Sequence, residues 1–265
     1  MCIVYKMREY IIKKYRKHLG VELEFLIKQK DGYYISVENL LKKLKTKENV
    51  KGTFKREAFT CTIEYITPVC RNAKEAIDTI KHDINILNIT LNELDLEILH
   101  GNYFEIPKEF NPKSLSKEMA NIRNTQKKVW KNVFTPSLHV HIGVGSLKDA
   151  KNIYNCWVNN FDNFVKFYDK NYKSKRFDKI IEINTKLTGD KKPTIVNKEY
   201  KIPNRPFNYQ DDNGRTIYPY RYYYYIFSKH GTVENRIADC INDFEKMYKY
   251  IEYVYDISCV SIEKK

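Results

Sequence analysis

The segment Leu19–Gln29 (LGVELEFLIKQ) constrains this chain most tightly, because Glu22 and Glu24 stand two residues apart in a largely apolar run. In an extended strand, side chains at i and i+2 share a face and their neighbours take the other. Glu22 and Glu24 therefore point one way, and Val21, Leu23 and Phe25 point the other, toward a core. The device recurs twice. His139 and His141 alternate with Leu138, Val140 and Ile142, and Glu234 and Arg236 are set among Val233 and Ile237. A further acidic residue, Glu64, lies inside the apolar segment Ile63-Glu64-Tyr65-Ile66-Thr67-Pro68. Each pattern alone has an ordinary explanation: a solvated strand face for Glu-x-Glu, an edge or interior pair for His-x-His, and a surface ion pair for Glu-x-Arg. Four strands that each offer isolated polar groups on an apolar background point instead to a shared polar face. Carboxylates gathered there repel one another unless a cation lies between them. Oxygen ligands with an imidazole suit Mg²⁺ or Mn²⁺ better than structural zinc.

The rest of the chain predicts strands and helices interspersed without regular βαβ alternation. Asp31-Gly32 marks a turn into a short strand, Tyr33–Ser36, and a helix begins near Ser36 and Glu38 and runs to Lys45. A strand over Ala58–Ile66 stops at Thr67-Pro68, and a helix from Ala73 to about Leu87 places Ala76, Ile77, Ile80, Ile84 and Leu87 at helical spacing. His100 to Val133 reads as polar and loop-like apart from a helix over Ser116–Trp130. Then follow a strand, Ser137–Val144, a long helix, Leu147–Tyr168, and an irregular excursion over 185–219. Strands over Arg221–Phe227 and Gly231–Ile237 and a helix over Ile241–Val254 complete the chain. The expected fold is α+β, a mainly antiparallel sheet with helices packed on its outer face. No repeat and no Gly/Ser linker divides it, so residues 1–265 are read as a single domain.

Composition narrows the setting. The 265 residues are 42% hydrophobic and 30% charged, which suits a folded domain with a real core. Their formal charge of +14, from 47 Lys and Arg against 33 Asp and Glu, favours anionic partners such as nucleotides, nucleic acid, acidic peptides or a membrane surface. An AT-rich coding genome would give the same Lys- and Tyr-rich bias. The six cysteines form no CxxC pair and have no structural-zinc spacing, as expected of reduced thiols in a cytoplasmic protein. Met1 to Lys17 is broken by Lys6, Arg8, Lys13 and Lys14 and lacks a signal-peptide core. With no run of about 18 apolar residues, a soluble protein with no membrane partner is expected.

The motifs, in their order, resemble those of the amidoligases in the glutamine synthetase and γ-glutamylcysteine synthetase superfamily. Gly20-Val21-Glu22-Leu23-Glu24 is similar to that family's opening GxExE strand, and Glu64-Tyr65-Ile66-Thr67-Pro68 to its second acidic strand. Ser137-Leu138-His139-Val140-His141 resembles its HxH strand, and Gly231-Thr232-Val233-Glu234-Asn235-Arg236 its closing T-(I/V)-E-x-R strand. Together they span residues 20 to 236. The resemblance implies a curved, glutamine-synthetase-like sheet and an ATP- and Mg²⁺-dependent carboxylate–amine ligase that works through an acyl phosphate. It implies that Glu22, His139 and Glu234 hold the metal bridging the ATP phosphates, and that Glu24 and Glu64 hold a second. His141 would lie beside the phosphates, Arg236 would contact the transferring phosphoryl group or the substrate carboxylate, and Arg221, which opens an RY-type strand just before the last motif, would be a further phosphate contact. The partners would then be ATP, a carboxylate substrate and an amine acceptor, either a small molecule or a peptide.

Asn235 stands where many relatives have an aromatic residue, and the run Tyr222 to Tyr225 stands where relatives often carry Asn. Ile237-Ala238-Asp239 replaces the small or polar residues that often follow the last Arg, so these departures touch the substrate pocket more than the metal ligands. No P-loop and no GxGxxG is present, so a nucleotide site has to come from the strands themselves. His139 falls too late for a TIM-barrel hydrolase, and Gly143 to Leu147 lacks the Glu a cupin needs. Two alternatives remain: a catalytically silent ligase-like shell, and a nucleic-acid-binding protein that uses Lys42 to Lys55, Lys166 to Lys179 and the tyrosine run.

Overall fold

Alternation in Leu19–Gln29 is realised as an eleven-residue strand, β1. Leu19, Val21, Leu23, Phe25 and Ile27 all enter the main hydrophobic core, leaving Glu22 and Glu24 on the other face. Burying each such apolar side chain is worth about 1.5–3 kcal/mol, so a one-residue slip that exchanged the faces is strongly disfavoured. The computed structural model describes residues 14–57, 59–110, 133–160, 163–164, 223–226 and 231–263.

Eight further strands are present among these residues: β2 (Thr53–Arg56), β3 (Thr62–Ile66), β4 (Leu96–Leu99), β5 (Phe104–Glu105), β6 (Val133–Phe134), β7 (Ser137–Gly143), β8 (Tyr223–Ile226) and β9 (Thr232–Asp239). The main sheet runs β2-β3-β1-β7-β9-β8, with β4 paired to the far end of β1, and β5 and β6 form a separate ribbon. Every one of these pairings is antiparallel. Four helices, α1 (Glu38–Lys45), α2 (Ala73–Glu93), α3 (Leu147–Asn159) and α4 (Phe244–Glu263), accompany the strands. They bury their apolar stripes in the core formed by the odd-numbered face of β1, so the predicted α+β layering of helices on one sheet face is realised.

Local chemistry sets the boundaries. The Asn72 side chain accepts from the Glu75 backbone N–H and caps α2. That helix continues past Leu87 because Leu91 extends its buried stripe by one more turn. Near its middle, Asp83 is fully buried and accepts from the backbone N–H groups of Lys51 and Gly52 and from the Tyr65 hydroxyl at 2.8 Å. This ties the start of β2 to β3 and α2. A side chain on Gly52 would come within 2.4 Å of the Ile66 carbonyl, so the close approach requires glycine. On the other side of the sheet's helical layer, Trp157 of α3 donates its indole N–H to Ser258 of α4 at 2.9 Å.

Several predicted boundaries change. Tyr33–Ser36 is a single bridge, Lys28 to Tyr34, and not a strand. The strand expected over Ala58–Ile66 begins only at Thr62, because the Thr62 hydroxyl and backbone fold back on Phe59. Ser36 does not cap α1, whose N-cap position is Val37 with no side-chain cap bond. β2, β4, β5 and β6 were not predicted, and α4 starts later and runs further than Ile241–Val254. The helix expected over Ser116–Trp130, the end of Leu147–Tyr168, the 185–219 excursion and Arg221 lie outside the described residues. Among the described residues no helix is long and apolar enough to cross a membrane, and Cys61, Cys70, Cys156, Cys240 and Cys259 are free.

Candidate active site

Strand register brings the predicted polar groups to one face. Glu22 pairs with His139, Glu24 with Glu64, and His141 with Glu234. Between Leu138 and Val140, strand β7 has one residue, His139, where β9 has two, Arg236 and Ile237. This bulge lets Ile237 and Ala238 both enter the core while Glu234 and Arg236 stay on the polar side. Seven of the eight predicted residues, Glu22, Glu24, Glu64, His139, His141, Glu234 and Arg236, therefore line one surface.

At the β7–β9 end, both imidazoles bridge two carboxylates. His139 Nδ1 is 3.2 Å from Glu22 Oε2 and 3.3 Å from Glu234 Oε1. His141 Nε2 is 3.3 Å from Glu22 Oε1 and 3.8 Å from Glu234 Oε1. The other nitrogen of His141, Nδ1, lies 3.2 Å from the Thr232 hydroxyl, which fixes the ring so that Nε2 faces the carboxylates. Arg236 donates to Glu234. Burial opposes the charge on Glu22, but hydrogen bonds from His139 and His141 hold its carboxyl far below the usual range. Burial opposes the charge on Glu234 too, and Arg236, His141 and His139 outweigh it. Burial opposes a charge on His141 and Arg236 adds to that, but the hydrogen bond to Glu22 and the fields of Glu234 and Glu22 raise the imidazole above its ordinary range.

The β3 end is organised differently. Glu24 Oε2 accepts from the Ser137 backbone N–H at 3.0 Å and from the Ser137 hydroxyl, while His139 Nε2 stands 4.0 Å from Glu24 Oε1. Lys55, opposite Glu64 on edge strand β2, places Nζ 2.5 Å from Glu64 Oε2. Burial, with Glu22 and Glu57 nearby, pushes the Glu64 carboxyl up to about 7. Glu57 is likewise raised to about 7, by burial and the fields of Glu24 and Glu22 against Lys55 and Arg236. Sequence reasoning missed Glu57, Lys55, Ser137 and Thr232 as site residues. Lys55 and Glu57 do carry the two-residue spacing of the other pairs, but inside a Lys-rich stretch that reads as surface.

A divalent cation fits one part of this face. Glu22, His141 and Glu234 each offer a ligand atom, all within 4.8 Å of one another, and this is the one such group among the described residues. His141 Nε2 faces both carboxylates, and Thr232 fixes the ring through Nδ1, so the three ligand atoms address one locus. Two carboxylates and an imidazole are a donor set suited to Mg²⁺ or Mn²⁺.

The glutamate-cysteine ligase family 2 (GCS2) matches residues 18–160, just over half of the chain, and the chain belongs to that family. Among solved structures, a bifunctional glutathione synthetase from Pasteurella multocida aligns with a TM-score of 0.50 at 10% identity, over 98% of this chain and 40% of its own. Ligand-free GmaS gives 0.47 at 10% identity over 96% and 57%, and PafA, the ligase of the prokaryotic ubiquitin-like protein Pup, gives 0.46 at 10% over 93% and 47%. The chain thus spans less than two thirds of the length of each of these structures. No curated protein matches it by sequence.

Proposed function

We propose that this chain catalyses ATP- and Mg²⁺-dependent formation of an amide bond between a carboxylate and an amine, through an acyl phosphate. The observation that carries this reading is the convergence of Glu22, His141 and Glu234, with His139 Nδ1 in contact with both carboxylates. These residues would hold Mg²⁺ or Mn²⁺, which when bound supplies charge neutralisation for the ATP phosphates. In the first half-reaction a substrate carboxylate oxygen attacks the γ-phosphorus and ADP leaves. In the second, the amine attacks the acyl carbon and phosphate leaves, with loss of the amine proton.

The chain's own residues have distinct tasks in this scheme. Arg236 offers a planar fork of donors beside the metal ligands, suited to the phosphoryl group or the substrate carboxylate. Arg221, at the start of its RY-type strand, is assigned a further phosphate contact. His141 combines a place among the ligand atoms with the phosphate-side role its motif implies. Glu57, with a carboxyl that titrates near neutral pH and a place just beyond edge strand β2, is suited to take the proton from the attacking amine. Glu24 and Glu64 border the acceptor side. The carboxylate and amine remain open, with a small molecule or a peptide each compatible with the fold.

The nucleic-acid reading is weaker, because part of the Lys42 to Lys55 stretch is paired internally: Lys43 and Lys47 with Glu93, and Lys55 with Glu64. The deciding experiment is Mg²⁺-dependent ATP turnover measured across a panel of amino acids and amines, with Glu24→Gln and His139→Ala as controls. Turnover that depends on an added carboxylate–amine pair and is lost in both variants supports the proposal. Nucleotide binding indifferent to both substitutions, with no turnover, rejects it.

A further inference from the structure

The two ends of the polar face are neutralised by different means. At the end formed by Glu22, His141 and Glu234, the three ligand atoms lie within 4.8 Å of one another, and the countercharges are the imidazoles and the Arg236 guanidinium. Glu24 and Glu64 are cross-strand neighbours on the same face, yet they belong to no converging ligand group among the described residues. Both already have donors from the protein. Glu24 Oε2 accepts two hydrogen bonds from Ser137, and Glu64 Oε2 takes the ammonium of Lys55 at 2.5 Å.

Lys55 reaches Glu64 because of where its strand lies. The register pairs Lys55 directly with Glu64, so both side chains leave the same sheet face. Its strand is held in place from behind, where Asp83 binds the backbone of Lys51 and Gly52 just before β2. A lysine ammonium is a compact point charge with three donors on a flexible stem, so the half-exposed Lys55 can supply Glu64 with the charge that a small hydrated cation would otherwise bring. A divalent ion approaching Glu64 would meet a like charge already seated there.

We infer that this chain holds a single divalent cation, at Glu22, His141 and Glu234, and that the Lys55 ammonium is the built-in countercharge where a second ion would otherwise bind Glu24 and Glu64. The inference rests on the metal-binding reading of the site given above. It gives the chain one exchangeable cation and one tethered one, so the acceptor side keeps its positive charge when free metal is scarce.

Counting bound Mn²⁺ tests this without an activity assay. With Mn²⁺ alone as the probe and free ion followed by electron paramagnetic resonance, the full chain is expected to bind one ion. Lys55→Met is expected to bind two, and Lys55→Met with Glu64→Gln to return to one. Glu64→Gln alone is expected to leave the count at one and the affinity within about 3-fold of the unsubstituted chain, a readout that holds even if Lys55→Met fails to fold. Two ions on the unsubstituted chain, a count of one in folded Lys55→Met, or a loss of affinity beyond 10-fold in Glu64→Gln overturns the inference and leaves the primary metal site standing. No Mn²⁺ bound to the unsubstituted chain overturns the metal site and the inference with it.

Discussion

At the β7–β9 end of the polar face, two imidazoles and a guanidinium hold Glu22 and Glu234 in their charged form. At the β2–β3 end, Glu57 and Glu64 sit among other carboxylates with one ammonium to share, and their carboxyls are pushed up to about 7. Both ends arise from the same strand alternation and face the same side of the same sheet. The difference shows that spacing fixes where an acidic group points, while its cross-strand partner fixes the charge it carries. The ligase chemistry proposed above would use both conditions: charged oxygens to hold a cation, and a carboxyl that trades a proton near neutral pH.

The contrast can be broken most forcefully at the imidazole end. Glu22→Gln should lower Mn²⁺ affinity by about 100-fold or more, beyond the usual cost of disturbing an outer-shell partner. A Mn²⁺ titration checks this, and an equal loss in Glu64→Gln would erase the distinction between the two ends. Next in size is Asp83→Ala, which strips the clamp behind the lysine end and leaves the Lys51 and Gly52 amides and the Tyr65 hydroxyl without their acceptor. Unfolding by urea should show a loss of about 3 kcal/mol or more.

A smaller effect comes from pH. The Glu57 carboxyl moves from an ordinary 4.5 to about 7 in the folded chain. Between those values the folded state keeps protons that the unfolded state has released, so this group's contribution to stability falls as pH rises and levels off above about 7. In metal-free protein, Glu57→Gln should therefore gain about 2 °C or more in melting temperature at pH 8 relative to the parent, a gain absent at pH 4. A constant difference across that range would mean the two ends do not differ in protonation. Least of all, Arg56→Ala removes a solvent-facing pair with Glu38 on the outer side of the same edge strand. Its cost should stay within about 0.5 kcal/mol by thermal or chemical unfolding.

The parts of the fold legible in the sequence were those where apolar alternation runs uninterrupted. β1 over Leu19–Gln29 was predicted at its observed ends, and β7 and β9 lie within one or two residues of expectation. Edge strand β2 escaped because a strand with one covered face and one open edge carries Lys55 and Arg56, which look like surface charge in a Lys-rich stretch. β5 and β6 are two residues each and exist through a pairing of residues distant in sequence, Phe104 with Phe134, that no local window contains. The site shows the same division. Glu22, Glu24, His139, His141, Glu234 and Arg236 announced themselves by spacing, whereas Glu57 acquires its character from burial and from carboxylates more than 30 residues away in sequence. Ser137 and Thr232 were visible inside their motifs, but a hydroxyl next to a ligand strand gives no local sign of which side chain it will orient.

The bulge opposite His139 works as a phase shifter. Upstream of it the core-facing positions of β9 are Val233 and Asn235, and downstream the frame has moved so that Ala238 faces the core and Asp239 pairs with Ser137. The two halves of the strand are thereby decoupled. The residues after Arg236 can therefore change without rotating Glu234 away from His141. Deleting Ile237 would leave a regular ladder in which Arg236 opposes His139 and both flanks keep their faces, so tolerance of single-residue deletions along β9 should be greatest at Ile237 and fall at the positions on either side.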